Sequence, residues 1–279
     1  AHLAQDEPMT MYGLLAEAIL VAPDFASVSF RIRPEARFAN GEPVTAEDVR
    51  HSFAQLSGKG ASPSYQTQLA GIERVVAVDA RTVRFEMREK TREQAFVAGT
   101  MPVFSRKWGA GRKFDEIVTE PPILSGPYLI DKVDMPRRIE FRRNPEYWGR
   151  DLPVRRGHFN FERVVYRMYS DSAVAREAFK AGEYDLMKEY SSRAFVRQHA
   201  GVKWDDGRIV KAMLPTHFGY YMQSYQLNLR RPIFQDARVR EALVYTYDFD
   251  TLNKTLIFRR CNSMFNNSPF AAQGLPAPA

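Results

Sequence analysis

Apolar and polar residues alternate strictly along Val28-Ser29-Phe30-Arg31-Ile32, which sets Val28, Phe30 and Ile32 on one face of a half-buried strand over 27–33. Asn40-Gly41 follows as a tight-turn pair. The period then changes. Val49, Phe53 and Leu56 form a helical stripe behind Thr45, whose hydroxyl can cap the free amides, while Glu47 and Asp48 face the positive end of the helix. Gly58 and Gly60 end that helix. Strands are predicted over 72–78 and 82–87, joined across Asp79-Ala80-Arg81. A helix follows over 92–98, and Glu120-Pro121-Pro122 is a break. Upstream, Leu14, Leu15, Ala18 and Ile19 recur at helical spacing and predict a short helix over 11–20.

A second pattern begins at Gly126-Pro127-Tyr128. It predicts strands over 128–133, 138–142 and 163–168, then a helix capped by Asp171 and closed by Gly182, with Val174, Ala175, Ala178 and Phe179 facing inward. Strands over 208–214 and 218–227 and helices starting at Asp236 and Asp248 complete it. Strands and helices mix without a regular βαβ alternation. The fold class is therefore α/β of the mixed α+β kind, in two regions that meet near residue 122.

At 279 residues the chain is long enough for two domains, and 44% hydrophobic with 26% charged residues is ordinary for a globular protein. The net charge of +7 raises the class of nucleic-acid binders, but the arginines are scattered in small groups (Arg31, Arg33 and Arg37; Arg137, Arg138, Arg142 and Arg143; Arg155 and Arg156; Arg230 and Arg231), and no nucleic-acid-binding motif accompanies them. No nucleic-acid partner is expected. The single cysteine, Cys261, excludes an intrachain disulfide framework. No apolar run approaches the length of a transmembrane helix. The amino terminus carries no signal-peptide pattern, and both ends read as cuts.

Catalytic signatures are missing. There is no phosphate-cradling glycine loop, no dinucleotide fingerprint, no zinc-protease helix and no nucleophile elbow. The histidines His2, His51, His158, His199 and His217 show no metal-ligand spacing, so neither a metal nor another cofactor is expected. His51 reads as exposed on the capped helix. His217, at the head of a strand, is a candidate ligand contact. No acid–base pair can be named, and no enzyme is expected.

Four segments carry more information than any catalytic motif. Residues 28–49, from Val28-Ser29-Phe30 through Asn40-Gly41 to Thr45-Ala46-Glu47-Asp48-Val49, come first. Gly126-Pro127-Tyr128 followed by Arg143-Asn144-Pro145-Glu146-Tyr147-Trp148 comes next, then Lys180-Ala181-Gly182-Glu183-Tyr184-Asp185. Last is Asn228-Leu229-Arg230-Arg231-Pro232, continuing through Asp236 to Leu243. In this order and spacing the chain resembles the peptide/nickel/opine family of ABC-importer solute-binding proteins. The tail Arg259-Arg260-Cys261-Asn262-Ser263-Met264-Phe265-Asn266-Asn267-Ser268 is similar to the Yej-type branch, linked with oligopeptides and microcin-C-like conjugates; Cys261 and Met264 depart from its usual Thr and Tyr.

The resemblance implies a periplasmic-binding-protein-like fold of two lobes that close around a ligand, with only lobe one, its accessory domain and the start of lobe two in this chain. Residues 1–24 would end the amino-terminal part of lobe one, 25–122 form its accessory domain, 123–234 its main sheet region and 235–279 the start of lobe two. Family members are about twice as long, and the acidic anchor for a peptide amino terminus lies outside this chain. The implied partners are an oligopeptide or peptide conjugate and an inner-membrane ABC permease, in the periplasm. Along the strand that leads into lobe two, His217, Gly219, Tyr221 and Gln223 share a face by period two. Gly219 and Tyr221 match positions that contact peptide. Ser62-Pro63-Ser64-Tyr65 resembles a loop that brings a tyrosine, here Tyr65, toward the ligand. Trp148, Asn228 and Arg240 match packing and hinge positions. The rival readings are a peptide hydrolase, a basic nucleic-acid binder, or the same family with a nickel, opine or oligosaccharide ligand. If lobe two is unfinished, Val239, Ala242, Leu243 and Leu252 should stay exposed, and a sheet edge within 126–230 should be unpaired.

Overall fold

The computed structural model describes residues 2–3, 7, 10–116, 120–214 and 224–254. The chain forms two compact units, residues 1–168 and 169–279.

In the first unit, β1 (His2–Leu3) and β2 (Met11–Tyr12) make a short antiparallel pair. A four-stranded antiparallel sheet follows from β3 (Ala16–Val21), β4 (Ser27–Ile32), the helices α1 (Ala46–Ser57) and α2 (Pro63–Leu69), and the hairpin β5 (Ile72–Ala77) and β6 (Thr82–Met87), with α3 (Arg92–Thr100) last. The sheet order is β3-β4-β6-β5. Alternation does what the sequence predicts: Val28, Ile32, Val83 and Phe85 are each 1% exposed, and with Val49, Leu56, Leu69 and Ala98 they form one core between sheet and helices. Burial of this kind is the main stabilising term, roughly 25 cal/mol per Å² of apolar surface.

The start of α1 is a reciprocal cap. The Asp48 amide donates to Thr45 Oγ1, and Asp48 Oδ2 accepts from the Thr45 amide at 2.9 Å. Asp48 Oδ1 also accepts the Arg106 amide at 3.1 Å, and Ser52 Oγ accepts the Phe104 amide at 3.0 Å. These two side chains tie the strap after α3 to the helix. Gly58 closes α1; Gly60 lies beyond its end.

The predicted helix over 11–20 is not formed. Residues 16–21 instead pair along β4, with Ile19 opposite Phe30 and Val21 opposite Val28. The run Ala18-Ile19-Leu20-Val21 has no polar position to distinguish a helical from a strand period, and the free edge of β4 decided between them. Leu20, on the outer face of this edge strand, is 73% exposed.

β7 (Tyr128–Asp134), β8 (Arg138–Arg143) and β9 (Arg163–Arg167) form a three-stranded sheet with β8 in the middle and β7 and β9 at its edges. The arginines here are paired locally. Arg138 and Arg163 flank the buried Glu140 at 3.1 and 3.5 Å, and Arg142 meets Asp131 at 3.6 Å. Trp148 donates to the Ser125 carbonyl at 3.2 Å and packs against the first core, as a structural residue would.

The second unit is helical among the described residues: α4 (Ser172–Ala181), α5 (Ser192–Arg197), α6 (Val202–Asp205), α7 (Pro232–Gln235), α8 (Ala237–Tyr245) and α9 (Phe249–Asn253). Asp171, Ser191, Asp236 and Asp248 each cap a helix with the side chain, and Gly182 closes α4 at φ 84°. Three expectations need correction. Val174 is 58% exposed rather than inward-facing, because the face of α4 that packs runs through Ala175, Ala178 and Phe179. Residues 208–214 form no strand, since no described neighbour offers them a ladder. Residues 224–227 of the second predicted strand form none either, and 218–223 lie outside the described residues. As expected, α8 and α9 expose apolar side chains: Ala242 is exposed, Leu243 is 45% exposed and Leu252 49%. Val239 is half-buried.

Candidate ligand-binding region

Of the predicted ligand-contact residues, His217, Gly219, Tyr221 and Gln223 lie outside the described residues. Tyr65 sits in the first turn of α2, where Pro63 occupies a position whose amide no helix bond needs. Gln66 fastens the preceding loop by donating to the Ala61 carbonyl at 2.7 Å. Tyr65 is half-buried, with its ring against the core, while Ser62, Pro63 and Ser64 are exposed. One side of the ring is therefore committed to packing.

A small apolar cavity lies under the first sheet, lined among others by Leu15, Phe30, Val49, Phe85, Met101 and Val103. Gly99 belongs to its wall because a Cβ there would stand 2.8 Å from Met11 Cε. The lining carries no charged side chain, so the cavity offers packing and no chemistry. His51, expected to be exposed, is half-buried, and its ring meets Phe104 edge-on at 5.8 Å. Burial pushes its imidazole below the ordinary value, with the nearby Asp48 carboxylate pulling the other way.

The second unit contains a charged cluster that the sequence did not suggest. Glu189 Oε2 lies 3.0 Å from His199 Nε2 and 3.5 Å from Arg176, and Glu189 Oε1 accepts the Ser191 amide at 2.8 Å. All three side chains are nearly enclosed, at 10%, 7% and 11% exposure for Glu189, His199 and Arg176. Burial pushes the Glu189 carboxyl up, but the His199 hydrogen bond, the Ser191 amide and Arg176 outweigh it and hold the carboxyl below its ordinary range. His199 also meets Trp204 edge-on at 6.0 Å. The three residues come from α4, the segment after it and the turn just beyond the end of α5. No spacing rule links positions 176, 189 and 199, so only folding could reveal the cluster. Lys211 reaches the same helix, its ammonium 4.4 Å from the Phe195 ring.

Asn228 and Arg240 make local bonds of the structural kind. Asn228 accepts from the Arg230 amide at 3.1 Å, and Arg240 donates to the carbonyls of Phe234 and Gln235 at 2.7 and 2.9 Å. Among the described residues no group of three or more His, Cys, Asp or Glu is placed to hold a metal, and no helix is long and apolar enough to cross a membrane.

Comparison with known proteins places these features in context. The family described as bacterial extracellular solute-binding proteins, family 5 Middle, matches residues 10–279. The YejA protein of Escherichia coli (strain K12) is 35% identical over 279 residues, covering 99% of this chain and 46% of that protein. A protein of Agrobacterium fabrum named probable peptide-binding protein YejA is 34% identical over 98% of this chain and 46% of its own length. The chain thus spans about half the length of these relatives. Among solved structures, NikA of Brucella suis, in complex with Fe(III)-EDTA, superposes with a TM-score of 0.67 at 18% identity, over 98% of this chain and 55% of that one, which speaks for the fold alone.

Proposed function

This chain belongs to the bacterial extracellular solute-binding proteins of family 5, and from that premise we propose that it is part of the ligand-capturing component of an ABC importer that takes oligopeptides or peptide conjugates. The observation that carries this reading is the similarity along almost the whole chain to relatives named YejA, one of them named as peptide-binding. In this reading the protein acts in the periplasm, holds its ligand between lobes without chemical change and delivers it to a membrane permease. The division into 1–24, 25–122, 123–234 and 235–279 belongs to the same proposal.

Closure of lobes around a ligand needs only differential affinity for the closed state. Broad peptide selectivity follows when fixed partners match the main chain and side chains enter wet pockets. Tyr221 and Gly219, with His217 and Gln223 on the same strand face, are the proposed ligand contacts, and Tyr65 approaches from the accessory domain. The test is calorimetry on the full-length protein with a peptide panel. Tyr221→Ala should weaken binding by roughly 1–3 kcal/mol, the range for a lost buried aromatic contact. Unchanged affinity in a folded variant would remove Tyr221 from the site, and turnover of labelled peptides would favour the hydrolase reading instead.

A further inference from the structure

The strap after α3 is held on α1 by two buried polar side chains and a cluster of rings. Ser52 Oγ accepts the Phe104 amide at 3.0 Å, and Asp48 Oδ1 accepts the Arg106 amide at 3.1 Å. Phe104 lies between these bonds and is 7% exposed. Its ring stacks on Phe114 and meets Trp108 and His51 edge-on, each at 5.8 Å. Of these four rings only His51 belongs to α1, and only His51 can take up a proton. One wall of the cluster that closes the strap is therefore titratable.

The surroundings of His51 favour its neutral form. The ring is half-buried against an apolar partner, and burial disfavours the imidazolium. Arg106 on the strap and Arg50 on the helix repel it further, although Glu47 engages Arg50 at 2.8 Å. Asp48 is the one attraction, and it is already committed: Oδ2 accepts from the Thr45 amide and Oδ1 from the Arg106 amide. A charged His51 would compete with the Arg106 amide for that carboxylate. Next to Arg106 on the strap, Lys107 is paired with Glu42. α2, β5 and β6 also pack on α1, and their titratable residues are Tyr65, Glu73, Arg74, Arg84 and Glu86. Arg74 and Arg84 both meet Glu86, at 2.5 and 3.1 Å.

We propose that His51 is a proton-operated latch for the strap. Neutral, it completes the ring cluster and lets residues 104–106 lie on α1. Protonated, it leaves the Phe104 ring for water, and the bonds to Ser52 and Asp48 open more often. The sign follows from linkage. The closed strap holds the imidazole below its ordinary value of 6.5, and the open strap lets it approach that value. The latch is thus fully set above about pH 6.5 and is released as pH falls through the lowered closed-state value.

Two measurements on the full-length protein between pH 8 and 5 test this: the His51 ring resonances, and hydrogen exchange at the Phe104 and Arg106 amides corrected for its intrinsic pH dependence. The His51 midpoint should fall below 6.5. Protection of the two amides should drop in step, by about tenfold for each pH unit that the midpoint lies below that value. His51→Phe keeps an aromatic edge against Phe104 and cannot be protonated, so it should retain the protection and lose its pH dependence. A His51 midpoint at or above 6.5 overturns the proposal. So does protection that stays level while His51 titrates, and so does a pH step that survives in His51→Phe. The first two outcomes need only the unaltered protein, so they decide the matter even where the variant fails to fold.

Discussion

The described residues of 10–125 and those of 169–254 obey the same local rules and end in different states. In the first stretch, β4 and β6 alternate as their sequence dictates, and Val28, Ile32, Val83 and Phe85 are each 1% exposed. In the second, Asp171, Ser191, Asp236 and Asp248 cap their helices with the same chemistry that Thr45 uses in the first. Yet of the residues described there only Ala178, Ala194 and His199 are buried, while Val244, Tyr245 and Tyr225 are 70%, 80% and 86% exposed. Capping needs only a few neighbouring residues, so it operates wherever the right side chain stands. Burial needs a partner surface from elsewhere in the chain. The second stretch is held by polar fastenings, above all the Glu189 cluster, where the first is held by apolar area.

This contrast makes truncation the sharpest probe. Phe85→Ala removes a ring that meets Phe30 edge-on at 5.7 Å in the centre of the core, and should cost about 3–5 kcal/mol in urea denaturation. A loss below about 1 kcal/mol would mean that the first core is not what holds that region. Glu189→Ala tests the polar fastening. It leaves Arg176 and His199 enclosed without their carboxylate, and should destabilise the second unit by about 3 kcal/mol, read as a loss of amide protection confined to residues 169–214. No change there would make the cluster incidental.

Acid should separate the two regions in the same direction. The native Glu189 carboxyl titrates below its ordinary value of 4.5. Its contribution is therefore complete above that value and is lost as pH falls through the lowered native one. Protection of residues 185–199 should hold steady from neutral pH to about pH 5 and decline below it. A decline beginning near neutrality would assign the effect to another group. Thr45→Ala removes one half of the cap on α1 and should cost about 1 kcal/mol, visible as a shifted urea midpoint; an unchanged midpoint would show that Asp48, with its bond to the Arg106 amide, holds the helix start alone. The smallest effect belongs to Val244→Ser on exposed α8, expected within about 0.5 kcal/mol. A larger loss in the full-length protein would show that another part of that protein covers this face.

The amino-acid sequence by itself determined the elements whose signals are local. The strand at 27–32, the Thr45 cap, the hairpin across Asp79, the strands at 128–134 and 138–143 and the helix from Asp171 to Gly182 all follow from periods and caps read within a few residues. The order of four segments also carried the family. Only the tertiary structure decided the rest. Residues 16–21 became a strand because an apolar run without polar punctuation fits either period, and the free edge of β4 supplied hydrogen-bond partners that a helix would have supplied internally. Residues 208–214 had the composition of a strand, and no described neighbour offers them a ladder to join. Val174 had the spacing of a core residue, but the packed face of α4 lies a fraction of a turn away. The meeting of Arg176, Glu189 and His199 left no trace in the sequence, because three charged or polar residues ten or more positions apart become a site only when the chain between them turns back and shuts out water.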